Sequence, residues 1–203
     1  MGRTSDAGER LLAAGAKLFS QRSYASISVA EICSAAGVPK GSFYYFFPSK
    51  QALGLAVIDD HWVWQRGEWA GILAAPAPII ERLRRLFVAT ADMQVEAVRG
   101  TGAVVGCLFG NLSLEVSAQD DPIRERLQQI FDEQIDMVER VIVEAADAGE
   151  LSDLDPRVTA KSIVAQIEGM VLFAKLFNDP AQLDQLWENS LRLLGLNARE
   201  SVG

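Results

Sequence analysis

With 203 residues, 49% of them hydrophobic, the chain can bury a substantial core in one domain or two. Two cysteines far apart and a single His point to neither a disulfide framework nor a zinc site. No apolar run approaches the roughly 18 residues of a membrane span, and no leader pattern follows Met1, so a cytoplasmic protein without membrane contact, metal or cofactor is expected.

The net charge of −8 argues against nucleic acid, yet it is unevenly spread. Residues 1–50 hold six cations (Arg3, Arg10, Lys17, Arg22, Lys40, Lys50) against three acids (Asp6, Glu9, Glu31), so +3, which leaves −11 for the other 153. A basic head on an acidic body suits a chain whose head meets a polyanion while its body is held off it.

In chain order, residues 1–5 read as disordered, with Arg3 available for a phosphate or minor-groove contact. Asp6 with Glu9 suggests a capping box opening a first helix to about Gln21, with Leu12, Ala16 and Phe19 on one face. Ser28 with Glu31 is a second capping box, so a helix starts at Val29, turns Ile32 and Cys33 inward, and stops near Gly37, which can adopt left-handed geometry. Pro39 disfavours helix at Val38 but suits the first turn of a new one. Two helices joined by such a turn form a helix-turn-helix.

The second of these helices opens on small and donor-bearing residues, Lys40, Gly41 and Ser42, which let it approach a phosphodiester backbone. Phe43 and Phe47, four apart, are expected to pack inward, while Tyr44 and Tyr45 keep wet hydroxyls. Ser49 caps the next helix and puts Lys50 in its first turn, where a cation is unfavourable without an anion, so a bound phosphate is expected there. The residues expected to meet DNA are thus Arg3, Ser28, Lys40, Gly41, Ser42, Tyr44, Tyr45 and Lys50.

Val29-Ala30-Glu31-Ile32-Cys33, the run from Ala35 to Phe47 and Ser49-Lys50-Gln51-Ala52-Leu53 resemble the DNA-binding domain of the TetR family of transcriptional regulators. Leu11-Leu12-Ala13-Ala14 and Leu18-Phe19 extend the resemblance back into the first helix. Ser23 stands where the family usually has Gly, which costs backbone strain if the site is left-handed. Phe46 stands where it usually has Tyr or His, which removes a polar group from the expected DNA surface.

After Lys50 a long helix should run through Leu53, Val57 and Trp62 to about Trp69. Helices are then expected over 78–99, 108–117, 122–148, 156–177 and 181–194, with a Gly-rich break at 100–102, Gly149 ending one helix and Asp155-Pro156 starting another. No strand alternation appears. The expected fold is all-α: a three-helix helix-turn-helix head over residues 1–50 and a helical effector-binding and dimerisation body over 51–203, about nine helices in all.

In the penultimate helix Ile163, Ile167, Met170 and Ala174 recur near heptad spacing, while Leu172, Phe173, Leu176 and Phe177 make the other side apolar too. With Leu183, Trp187 and Leu191, the first set is expected to form a four-helix seam with a second copy, the dimer that the resemblance implies. The alternative is an internal core helix.

Trp62, Phe109, Met137, Met170 and Phe173 are candidates to line an apolar effector pocket, although residues of this kind at helical spacing are most often plain core. His61, beside Asp59 and Asp60, reads as solvated or hydrogen-bonded rather than as a ligand. No catalytic triad, P-loop or dinucleotide fingerprint appears. Gly106-Cys107-Leu108 resembles a TetR subgroup that responds to electrophiles or oxidants, among them the repressor of N-ethylmaleimide reductase. A thiol at a helix start is activated by the dipole, and Lys175 is a second redox candidate. A buried, inert Cys107 is the competing reading. The expected function is a regulator, acting as a repressor, that binds a palindromic double-stranded operator as a homodimer and is released by a small apolar, electrophilic or oxidant effector. A helical-bundle enzyme and a helical adaptor with a degenerate head stay open.

Overall fold

The computed structural model describes residues 2–196, with side chains from Asp6 onward. All regular structure among them is helical: α1 Gly2–Gln21, α2 Val29–Ala36, α3 Lys40–Phe46, α4 Lys50–Leu73, α5 Ile79–Thr101, α6 Leu108–Val116, α7 Asp121–Asp147, α8 Pro156–Phe177, a 3-10 turn Pro180–Leu183, and α9 Leu186–Leu193. The chain divides into two compact units. One runs from α1 to Trp64 and takes in Leu108–Gln128; the other comprises Gln65–Cys107 and the residues from Gln129 on. The head therefore shares a unit with α6 and the start of α7, which lie far from it in sequence.

The first unit closes around Leu11, Ile27, Ile32, Phe43, Leu53 and Ile58, all fully buried, with Leu112 and Ile123 from the later segment also buried. Gly15 lets α1 and α4 approach, since a Cβ there would lie 3.2 Å from Leu53 Cδ2 and 3.3 Å from Val57 Cγ2. The second unit is built on Leu83, Leu86, Phe87, Val138, Ile142, Ile163 and Ile167. There the buried Arg82 guanidinium donates to the Leu73 carbonyl at 2.9 Å and to Glu144 at 2.6 Å, joining the end of α4 to α5 and α7. None of the helices over the described residues is long and apolar enough to cross a membrane.

Helix α4 runs one turn past the expected end near Trp69, to Leu73, and two further boundaries differ from expectation. Helix α1 starts at Gly2, so residues 2–5 are helical and Asp6 lies inside the helix, paired with Arg10 at 3.5 Å rather than capping with Glu9. The last expected helix is split, because Asp179 accepts from Ala181 N–H and starts a separate 3-10 turn before α9.

Candidate nucleic-acid interface and effector region

Helix α2 begins as its sequence dictates. Ser28 Oγ accepts from Glu31 N–H at 3.2 Å, and the Glu31 carboxylate accepts from Ser28 N–H at 2.8 Å. Hydrogen bonds from the Ser28 amide, from Arg22 and from the Ser28 hydroxyl hold the Glu31 carboxyl down at about 2. Gly37 ends the helix with φ +61°, and Arg10 donates to the Ala36 carbonyl at 3.3 Å. Pro39 then leads into α3, whose orientation is set by the fully buried Phe43, with the Tyr44 ring edge-on at 5.3 Å.

With Phe43 inward, Lys40, Gly41, Tyr44 and Tyr45 are turned to solvent, Tyr45 to 76%, and Ser42 is half-buried. A Cβ on Gly41 would meet nothing within 4 Å, so a ligand backbone can come close. Phe46 faces α1 instead: a Cβ on Gly8 would sit 3.0 Å from Phe46 Cδ1. Its missing polar group is therefore explained by packing. Phe47 is half-buried rather than core. Ser28 is exposed, but its hydroxyl is engaged in the cap. Arg3 lies outside the residues whose side chains are described.

Lys50 departs from expectation. Its ammonium donates to the carbonyls of Tyr24 at 2.9 Å and Ile27 at 3.0 Å and lies 4.4 Å from the Tyr24 ring centroid. The anion expected at this helix start is replaced by the carbonyl ends of the α1–α2 loop. Ser23 departs as well: among the described residues only Asp153 and Asn178 combine a side chain with positive φ, so the feared strain is absent.

In the second unit, the segment before α6 is tightly held. Gln94 accepts from Gly106 N–H at 3.0 Å and donates back to its carbonyl at 3.2 Å, while Asn178 accepts from Val104 N–H at 2.8 Å. This fixes Cys107, half-buried, directly before α6. Glu168 hydrogen-bonds to Cys107; burial pushes its carboxyl up, and that bond partly opposes the rise. Burial pushes the Lys175 ammonium down, opposed by attraction to Cys107. Glu168 was missed in the sequence, although it stands seven residues, two helical turns, before Lys175 on α8. The other cysteine, Cys33, is buried, and burial pushes its thiol up.

The apolar candidates are divided between the two units. Trp62 and Phe109 are buried together in the first unit, with centroids 6.1 Å apart. Met137 is buried and Met170 half-buried in the second unit, where Phe173 is half-exposed and stacked on Phe177 at 6.3 Å. His61 is not solvated surface: it is half-buried against Trp64 and Phe109, and burial lowers its pKa despite Asp60. No cluster of three metal-ligating side chains occurs among the described residues.

The seam expected on α8 is used internally. Ile163, Ile167, Ala174, Leu183 and Leu191 are buried within the subunit, and Trp187 packs on Phe87 at 5.8 Å. The free apolar face is the opposite one, where Leu172 is 50%, Phe173 49%, Leu176 70% and Phe177 60% exposed.

Two family profiles match: bacterial regulatory proteins of the tetR family over residues 11–57, and the tetracyclin repressor-like C-terminal domain over residues 80–189. The HTH-type transcriptional repressor DhaR of Mycobacterium sp. (strain GP1) is 33% identical over 87% of this chain and 86% of its own. The regulatory protein TetR from Rhodobacter sphaeroides superimposes with a TM-score of 0.81 at 32% identity, over 92% of this chain and 98% of that one. The reduced form of Escherichia coli NemR also gives 0.81, at 26% identity over 93% and 98%.

Proposed function

The chain belongs to the TetR family and is a DNA-binding transcriptional repressor, not an enzyme, and from that premise we propose that it holds a two-fold symmetric operator as a homodimer and releases it when Cys107 is modified. The observation that carries the DNA-contact assignment is the division of labour on α3: a fully buried Phe43 fixes the helix while Lys40, Gly41, Tyr44 and Tyr45 stand outward beside Ser42. Lys40 neutralises a phosphate, and the tyrosine hydroxyls donate to phosphate or base edges. The repressor acts in the cytoplasm, where its operator is.

The exposed face of α8 supports the homodimer. Four large apolar side chains within six residues form a patch that a monomeric protein rarely shows, and a two-fold partner covers it with the same residues. For the effector, the support is the company Cys107 keeps. A thiol at the head of α6, hydrogen-bonded to Glu168 and near a Lys175 whose charge is disfavoured by burial, suits attack on a small electrophilic carbon. Sulfur forms the new C–S bond, and the thiol proton passes to the adduct. After two-electron oxidation by a peroxide to sulfenic acid, the Lys175 amine can close an S–N bond with loss of water.

A gel shift over a salt series, with DNA upstream of the protein's own gene, tests the reading. Binding that falls steeply with salt and is lost on mild alkylation supports it; absence of salt-sensitive, sequence-selective binding refutes it.

A further inference from the structure

The loop between α1 and α2 is gripped from two sides by opposite charges. The Glu115 carboxylate, one residue before the end of α6, accepts from the Ser23 hydroxyl at 2.5 Å, from Tyr24 N–H at 2.9 Å and from Ala25 N–H at 2.7 Å. Lys50, at the start of α4, takes the carbonyls of Tyr24 and Ile27 from the same loop. The amide ends thus meet an anion and the carbonyl ends a cation. Burial alone would push the Glu115 carboxyl up, but the bonds from Ala25, Ser23 and Tyr24, with Lys50 nearby, outweigh it and keep the group ionised.

The sequence around the grip is tuned to it. Ser23, the departure from the family's usual Gly, needs no left-handed backbone here and supplies one of the three donors. Gly54 leaves room for the Tyr24 ring, which a Cβ would approach to 3.1 Å. Gln51 donates to Asp120 at 2.9 Å, tying α4 to the turn that follows α6. The loop ends on Ser28, the cap that sets where α2 begins and hence where α3 points.

We propose that Glu115 is a positioning residue for operator binding: through the Ser23–Ala25 clamp, the end of α6 holds the helix-turn-helix in register, and any displacement of α6 is read by the head at this point. The inference rests on the DNA-binding activity and not on Cys107 as the trigger, and no effector is needed to test it.

In the full-length protein, Glu115→Ala is expected to weaken operator binding at least tenfold and to speed exchange of the Tyr24 and Ala25 amides, while Leu11 and Ile32 amides stay protected. Glu115→Gln, which keeps one acceptor oxygen but turns an amide NH2 group toward the Tyr24 N–H, is expected to lie between. Ser23→Gly is expected to weaken binding by a smaller factor, and to add little in the Glu115→Ala background. Glu115→Ala binding within twofold of the parent overturns the proposal whatever the exchange shows. An equal rise of exchange at Leu11 and Ile32 overturns it too, since Glu115 would then only support the fold.

Discussion

Replacing Lys50 with Met separates two readings of the same cation. The aliphatic stem is kept, whereas the two hydrogen bonds to the Tyr24 and Ile27 carbonyls and the contact over the Tyr24 ring are lost. Hydrogen bonds to a charged group contribute about 1.5–3 kcal/mol each. Lys50 is half-buried and the Tyr24 carbonyl keeps a bond from Ile27 N–H, so the low end applies. With two bonds at that low end and about 0.5 kcal/mol for the ring contact, the unit should lose about 3.5 kcal/mol. For a chain of this length that is a fall in Tm of roughly 7–14 °C. Denaturant unfolding of the free protein measures the first quantity, and operator affinity against salt measures the second. If Lys50 met a phosphate, the slope of log K against log salt would shrink by about 0.9 per head; held by loop carbonyls, it leaves the slope alone. A variant of unchanged stability and flatter slope refutes the structural reading.

Lys40→Ala, by contrast, should leave unfolding unchanged and flatten the salt slope by about 0.9 per head, checked by the same titration. Leu176→Glu should yield a folded monomer with weakened operator binding by light scattering and gel shift, whereas Ile167→Ala should keep the dimer contact but cost about 2–5 kcal/mol of stability by leaving a cavity. The Glu31 carboxyl at about 2 lies below its unfolded value of 4.5, so the capping box is at full strength above that value and is lost as pH falls toward 2; an NMR titration of Glu31 checks it, and Glu31→Gln should abolish that part of the acid response. Cys107→Ser should bind the operator normally and keep binding after treatment with N-ethylmaleimide, with peptide mapping of the parent showing Cys107 modified before Cys33.

The head was largely legible in the sequence because its constraints are local and steric. Gly37 permits the left-handed end, Pro39 forbids helix before it and allows helix after it, and Ser28 with Glu31 satisfies amides within one turn. What was not legible there were the contacts that depend on remote partners. Lys50 reads as a phosphate ligand when only its own helix is considered, since the carbonyls that meet it belong to residues 26 and 23 positions earlier. Ser23 reads as a small defect until Glu115, 92 positions later, is brought to its hydroxyl. A single sequence records donors and acceptors but not which loop will be folded against which helix.

Helix α8 shows a different limit. Periodicity finds a face by contrast with a polar one, and a helix apolar on both sides offers no contrast. Size settles what periodicity leaves open. The inward residues, Ala160, Ile163, Val164, Ile167, Val171 and Ala174, are small or β-branched and sit close against neighbouring helices, while Leu172, Phe173, Leu176 and Phe177 are larger and remain exposed. Small residues let backbones approach within a subunit; long and aromatic ones give the large, adaptable area that an association between copies uses. The same helix carries Glu168 and Lys175, and Lys175 stands directly before Leu176 in the chain. On the function proposed above, a change in charge or bonding at the Cys107 cluster would therefore act on the helix that carries the exposed apolar face.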